Sequence, residues 1–422
     1  MVLQEIFNGL IFGGILVLGA IGLTLVYGIR RFPNFAHGDM LALGAYFALT
    51  FTTAFLAAIA FPPELLWLAL LMAIPISMVL MALLGMGLEW GIFKRLHGES
   101  LVRPLIASIG LAFIIQNVIR IAYGTSNQNF GFQAQIARIL PLGGLAGLLG
   151  EPAVRLTDNQ IGILISVFVI VAAVHVLLKY TTLGKSMRAT ADNYDLARVT
   201  GINVQRVIYA TWAIGSALAA VGGALLGLFA VIRPIMGFTL LLPIFAAVIL
   251  GGIGSAYGAM AGGFLIGIAQ EVSVPFLFAL SEANVAIAPF LAALVLFTGL
   301  AVILGLWLAD KDRRRQAKYA YVGAAAFGGV SGVVFIAASL GAINLYFPIA
   351  LFFELGLQQP FAFKPAIAFA ILVIGLLVLP QGLAGLADRP RAKGFARFIR
   401  GLPRTIASGS KDVLRRVIRR SK

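Results

Sequence analysis

Arg188-Ala-Thr-Ala-Asp-Asn-Tyr-Asp-Leu-Ala-Arg-Val-Thr-Gly-Ile-Asn203 is a polar island between two long apolar segments, residues 159–178 and 206–231. Each flank is near the length of about 20 apolar residues that crosses a hydrocarbon core. The island is therefore read as a loop between membrane spans, and the rest of the chain agrees. It is 60% hydrophobic and only 11% charged, against about 25% charged in soluble domains. A water-soluble fold could not hide that much apolar surface, so the class is an all-α polytopic membrane protein. Abundant Gly suits a helical bundle, where it lets backbones approach closely. The absence of Cys excludes disulfides, thiolate metal sites and Cys nucleophiles. No Lys or Arg precedes Arg30. A signal peptide begins with a basic region, so the first apolar run reads as a retained helix.

Candidate spans fall at 6–29, 38–61, 65–90, 104–123, 159–178, 206–231, 241–254, 257–280, 286–308, 320–341 and 365–385. That gives about 11 transmembrane helices, within a range of 9–11. The seventh is short, ends in Gly251-Gly-Ile-Gly254, and reads as a half-helix. With the polar island placed inside, the inner loops collect 27 of the 32 Lys and Arg residues, and the outer loops hold Arg138, Arg155, Arg233 and Lys364. Positive charge favours the cytoplasmic side, so the N-terminus is expected outside and the C-terminus in the cytoplasm. The tail, 387–422, holds twelve Lys/Arg and two Asp. It reads as a basic segment on anionic membrane lipid rather than as a nucleic-acid site. The outer loop at 124–158 reads as a small ordered cap.

Within the island, Asp192 can cap a short helix, Asp195 suits its positive end, and Gly201 stops it. Leu196 and Val199 share a face, and Ala189, Ala191 and Ala197 keep the profile slim. The helix would fit a groove on a partner; a solvated connector is the plainer alternative. Gly184-Lys-Ser186 mimics the end of a phosphate-binding loop. The required earlier Gly is Lys179, and a span rather than a strand precedes it, so a nucleotide site is rejected here.

In Arg31-Phe-Pro-Asn-Phe-Ala-His-Gly-Asp-Met40, Pro33 and Gly38 are expected to break the helix between the first two spans. Asn34 and His37 could satisfy the freed backbone or face a solute path. Gly254, Gly258 and Gly262 are read as a ladder on one helix face beside the break at Gly251 and Gly252, serving close packing. Gln116, Asn117 and Arg120 lie in the fourth span and Gln270 and Glu271 in the eighth. A carboxylate at that depth is expensive, so Glu271 is either functional or paired, with Arg120 the candidate partner. Glu89 and His175 read as anchors near helix ends. No paired-carboxylate, metal-ligand or Ser-His-Asp arrangement is present.

Asn34-Phe-Ala-His-Gly38, Ala107-Ser-Ile-Gly-Leu111, Arg188-Ala-x-Ala-Asp192 with Gly201-Ile-Asn203, and Leu250-Gly-Gly-Ile-Gly-Ser255 with Gly258-Ala-x-x-Gly-Gly263 occur in that order. This ordered set resembles the LivH-type permease subunit of branched-chain amino acid ABC importers over about residues 5–275. It resumes near Leu379-Pro-Gln-Gly-Leu-Ala-Gly385. The resemblance implies the ABC importer permease fold, and makes the island the coupling helix, with Arg188, Ala191, Asp192, Asp195, Ala197 and Gly201 as its contacts to an ATPase. It further implies a LivM-like second permease, two ATP-binding subunits and a periplasmic solute-binding protein around a subunit of the bacterial inner membrane. Such a subunit is no enzyme and binds no cofactor itself, ATP and Mg being held by the ATPases. Asn34, His37, Gln116, Asn117, Gln270 and Glu271 are then candidates to line the path.

The domain reading that follows is a permease core at 1–280 with its coupling loop at 180–206. An insertion at 281–365 with two extra spans, a final core span at 366–386 and the basic tail complete it. Urea or short-amide import is the alternative substrate reading. A stand-alone secondary carrier would need its own ion-coupling groups, and a membrane-embedded enzyme would need a catalytic constellation.

Overall fold

The computed structural model describes residues 2–59, 66–96, 102–131, 137–141, 153–283 and 364–378. The expected spans 286–308 and 320–341, most of the 281–365 insertion, the end of the last span and the basic tail lie outside them. Helix α1 is Val2–Arg30, α2 Ala36–Ala58, α3 Leu66–Leu88 with a π-helical turn at Glu89–Phe93, and α4 Val102–Tyr123. Two short strands follow, β1 Arg138–Pro141 and β2 Ala153–Leu156. Then come α5 Asp158–Tyr180, α6 Thr182–Asp192, α7 Tyr194–Val199, α8 Val204–Phe229, α9 Met236–Gly251, α10 Ala256–Ala283 and α11 Lys364–Val378. Six of the described helices are long and apolar enough to cross a membrane, and Met236–Gly251 is a shorter apolar one.

Helix α1 is the axis. It is almost wholly buried and packs against α10 along its length, with α8, α9 and α5 around it. Its sequence is apolar all round rather than on one stripe, as befits a helix with neighbours on every side. Gly9 and Gly13 meet Gly263 and Gly267 across the α1–α10 seam. A Cβ on Gly9 would sit 2.5 Å from Ile268 Cα, and one on Gly13 3.0 Å from Phe264 Cα. Small residues four apart on both helices therefore set the distance between the axes. Helices α2, α3 and α8 form a second packed group, with Ser77 Oγ of α3 donating to Gly44 O of α2 at 2.7 Å.

The all-α reading gains a small β element. β1 and β2 pair antiparallel, Arg138 opposite Leu156, and Gln128 bridges Ile232. This cap sits at the start of α1, where Gln4 Nε2 donates to Arg155 O at 3.0 Å and Gln4 Oε1 accepts from Arg155 N at 2.9 Å. Thr157 and Gln160 form a full capping box at the entry to α5.

Replacing Gly13 by Leu should force α1 off α10. Overpacking of this kind costs about 1–3 kcal/mol or more, read as a lower melting temperature in detergent. Gly110→Ala, with nothing within 4 Å of the new Cβ, should leave it unchanged or slightly raised.

Candidate functional site

The chain breaks between α1 and α2 over residues 31–35, and the break runs through protein. Arg31 takes φ +57. Phe32 is buried on Phe93 with ring centres 5.0 Å apart, and Phe93 stacks on Trp212 at 4.9 Å. Asn34 is buried, and its Oδ1 accepts from Ala36 N at 3.1 Å. Phe35 N donates to Ser108 Oγ of α4 at 3.1 Å. His37 is buried against Gly22, and its Nε2 donates to Gly19 O at 2.9 Å. Asn34 thus serves the freed backbone of the break, and His37 ties the start of α2 to α1. Gly38 is not a breaker. It lies inside α2, and its backbone meets that of Gly237 at the start of α9. Pro33 stands within the break itself.

The polar island folds as an elbow of two helices, not one. Thr181 Oγ1 accepts from Gly184 N at 3.0 Å to start α6, and Asn193 Oδ1 accepts from Leu196 N at 3.0 Å to start α7. Asp192, expected as the cap, is instead the last residue of α6. Asn193 takes the role because its extended backbone aims the side chain at the next turn. Helix α7 closes in a Schellman motif: Gly201, φ +86, donates to Arg198 O, and Ile202 N donates to Ala197 O. Leu196 and Val199 are exposed by 59% and 85%, whereas Ala197 is only 3% exposed and faces inward. Arg188, Asp192, Asp195 and Arg198 are exposed around them and Ala191 is partly covered. The surface offered to a partner is therefore Leu196 and Val199 ringed by charge.

The elbow rests on two other parts. Arg31 Nη2 donates to Ala191 O at 3.4 Å. A cavity of about 400 Å³ is shared by Tyr27, Gly28, Arg31, Ala191, Asp192, Gly254 and neighbours. Gly254 belongs to the turn between α9 and α10. Gly252 and Gly254 take φ +100 and +87 there, and Gly254 N donates to Thr24 Oγ1 of α1 at 3.0 Å. The expected ladder is corrected accordingly. Gly254 precedes α10 and is part of the break, while Gly258 packs on Gly251 and Gly262 on Ala247. The short seventh span does end at Gly251, its helix closing into a left-handed glycine.

Three described acids are buried: Asp39, Glu89 and Glu271. Glu89, read as an anchor, is fully enclosed in the π turn and ion-paired with Arg30, whose Nε donates to Glu89 Oε2 at 3.2 Å. Glu271 pairs with Lys364 at 2.7 Å, not with Arg120. Gln270 supports the same contact, its Nε2 donating to Lys364 O at 2.6 Å. Gln116 is buried beside Asp39, but Asn117 points outward and donates to Phe113 O at 2.8 Å. His175 Nδ1 lies 3.1 Å from Tyr257 Oη. No group of three metal-ligand side chains occurs among the described residues. Asp39, within residues 31–40 but given no role, is the buried acid that reading for polar positions missed. It is a lone acid at the head of an apolar run, and that was the available signal.

Membrane-length helices packed around α1 define a multi-pass membrane protein. Residues 5–304 match the family described as "Branched-chain amino acid transport system / permease component", and the chain belongs to that family. The match reaches into the stretch read as an insertion. The chain is 32% identical to the "High-affinity branched-chain amino acid transport system permease protein LivH" of Escherichia coli (strain K12), over 65% of this chain and 87% of that relative. It is 34% identical to the corresponding protein BraD of Pseudomonas aeruginosa, over 64% and 85%. It is 29% identical to a "Probable branched-chain amino acid transport permease protein LivH" of Methanocaldococcus jannaschii, over 64% and 80%. No solved structure matches.

Arg30→Met should strand Glu89 without its cation. Breaking one side of a buried pair costs about 3–5 kcal/mol, seen as lost yield and an earlier thermal transition. Arg30→Met with Glu89→Met should recover most of that loss.

Proposed function

We propose that this chain is the permease subunit of an ATP-driven importer in the bacterial inner membrane. It carries leucine, isoleucine and valine handed over by a periplasmic binding protein. A LivM-like second permease faces it, and two ATPases lie on the cytoplasmic side, holding the ATP and Mg. The α6–α7 elbow is the coupling element, with the N-terminus outside and the C-terminus in the cytoplasm.

The observation that carries this reading is the elbow. Its own caps and a Schellman stop make it rigid, yet it exposes two large apolar side chains, Leu196 and Val199, in a ring of charge. A solvated connector gains nothing from that arrangement; a knob for a groove does. The names of the relatives support the substrate, and the Lys/Arg distribution supports the orientation. Movement of the elbow has a physical route inward, because it touches Arg31 at the end of α1 and shares a cavity with the Gly252–Gly254 turn.

Co-purification in mild detergent with the ATPase subunits tests it. Wild type should retain them. Leu196→Asp with Val199→Asp, and residues 192–201 replaced by Gly/Ser, should lose them and reduce leucine uptake in proteoliposomes by about tenfold or more, the loss of two apolar anchors. Ala197→Trp would report on folding instead, since Ala197 is enclosed by its own chain. Recovery of wild type without any ATPase, under conditions that keep other such complexes whole, would count against the proposal.

A further inference from the structure

A cavity of about 30 Å³ lies where α2, α4 and α9 meet, bordered by Asp39, Gln116, Ile109, Phe113, Phe238 and Leu241 among others. Asp39 sits in the first turn of α2, directly after the interior break, and is 1% exposed. It differs from the other two buried acids. Glu89 has Arg30 and Glu271 has Lys364, but Asp39 forms no ion pair among the described residues. Gln116 lines the same cavity, and Asp39 Oδ1 has no hydrogen-bond partner among the described residues. A carboxylate enclosed among apolar side chains is costly. With no cation beside it among the described residues, Asp39 is the buried acid whose charge an incoming cation would stabilise.

The surroundings say which kind. The space at the carboxylate holds about one water-sized group, since a water needs roughly 10–15 Å³ of such volume. A dehydrated metal ion would want about six or more oxygen ligands, and the described lining offers the side-chain oxygens of Asp39 and Gln116. A primary ammonium needs two or three acceptors, and aromatic faces attract it. The rest of the lining is apolar: Phe113 and Phe238 are exposed by 56% and 54% at the outer edge, with Ile109 and Leu241 beside them. Asp39 thus lies beneath a hydrophobic mouth.

We propose that Asp39 receives the α-ammonium of the transported amino acid. Gln116 holds the carboxylate in place, and Ile109, Phe113, Phe238 and Leu241 take up the branched side chain. The cleft then lies on the face of this subunit that the second permease covers. The inference rests on the reading of the chain as an amino-acid importer permease.

The chain has no cysteine, so a single Phe113→Cys reports on the cleft in the assembled complex. It is reacted with a cationic ethylammonium and an anionic sulfonatoethyl methanethiosulfonate, each rate normalised to a free thiol. The cation should be preferred by about 10- to 100-fold, the range expected for one charge-assisted bond. Adding Asp39→Asn should abolish that preference. L-Leucine delivered by the binding protein should slow the cationic reagent, and 4-methyl-2-oxopentanoate, which lacks the ammonium, should not. Asp39→Asn alone should lower leucine uptake by a similar factor while ATPase stimulation by the binding protein persists. Lack of reaction with either reagent would mark a lipid-facing surface and overturn the site. So would a preference that survives Asp39→Asn. Where Asp39→Asn is not recovered folded, the leucine and oxo-acid comparison decides alone, and equal protection by the two overturns the site. Uptake of leucine by the wild-type complex is read separately. If wild type imports leucine and the cation preference is absent, only the site falls; if wild type imports none, the importer reading falls with it.

Discussion

Lipid gives a helix no hydrophobic reward for meeting another helix, so close backbone contact has to supply the adhesion. In this chain that contact is concentrated on α1. Gly9 and Gly13 bring it against Gly263 and Gly267 of α10, and Gly22 brings it against Gly215 of α8. Every irregular feature then hangs on the same helix. Gly19 O holds His37 at the first break, and Thr24 Oγ1 holds Gly254 at the second. Arg30 is the counter-ion of Glu89, Arg31 reaches the elbow at Ala191, and Gln4 grips the β cap at its far end. Interior breaks are tolerable only where protein satisfies the freed backbone, and α1 can do this because its glycine seams fix its position.

What the sequence made legible was what composition and periodicity control. Span positions follow from apolar length, and the outer loop from its turn residues. The half-helix ending at Gly251 follows from a run of glycines after too few apolar residues. Gly201 was readable because a helix stop needs a left-handed residue. Two of the misreadings turned on a partner remote in sequence. Lys364 is 93 residues from Glu271, so Arg120 was the nearer guess. Gly254 fits a four-residue ladder with Gly258 and Gly262 by spacing alone. Only the hydrogen bond to Thr24 shows that it belongs to the turn. Asp192 and Asn193 are both fit caps by residue type, and the backbone angle at Asn193 decides between them.

The buried acids show the same limit more sharply. In the sequence, Asp39 and Glu89 are single acids beside apolar runs, and neither shows which partner it meets. In the fold, Glu89 is sealed with Arg30 beneath the Phe32–Phe93–Trp212 stack, a closed arrangement that needs nothing further. Asp39 borders a small cavity that Gln116 also lines. Desolvating a carboxylate costs several kcal/mol in either place, but among the described residues only Glu89 has a cation to offset the cost. The difference between a structural acid and a working one is therefore a matter of where the cation comes from, which no single sequence states.

The positions of the two breaks then connect the exposed elbow to the interior. Asp39 lies one turn beyond the first break, and Gly38 touches Gly237 at the start of α9. The same α9 ends at Gly251, beside the turn that shares a cavity with the elbow. Thus α9 has one end at the cleft around Asp39 and the other at the Gly252–Gly254 turn. A helix is stiff along its axis, and its ends here are seated on backbone rather than on long side chains. A displacement at the elbow that shifts the glycine turn must therefore either strain the Gly38–Gly237 contact or move α9 as a body. Moving α9 shifts Phe238 and Leu241, which border the cleft. Packed interfaces switch between arrangements more readily than they stretch, so the geometry favours opening or closing of the cleft over gradual deformation.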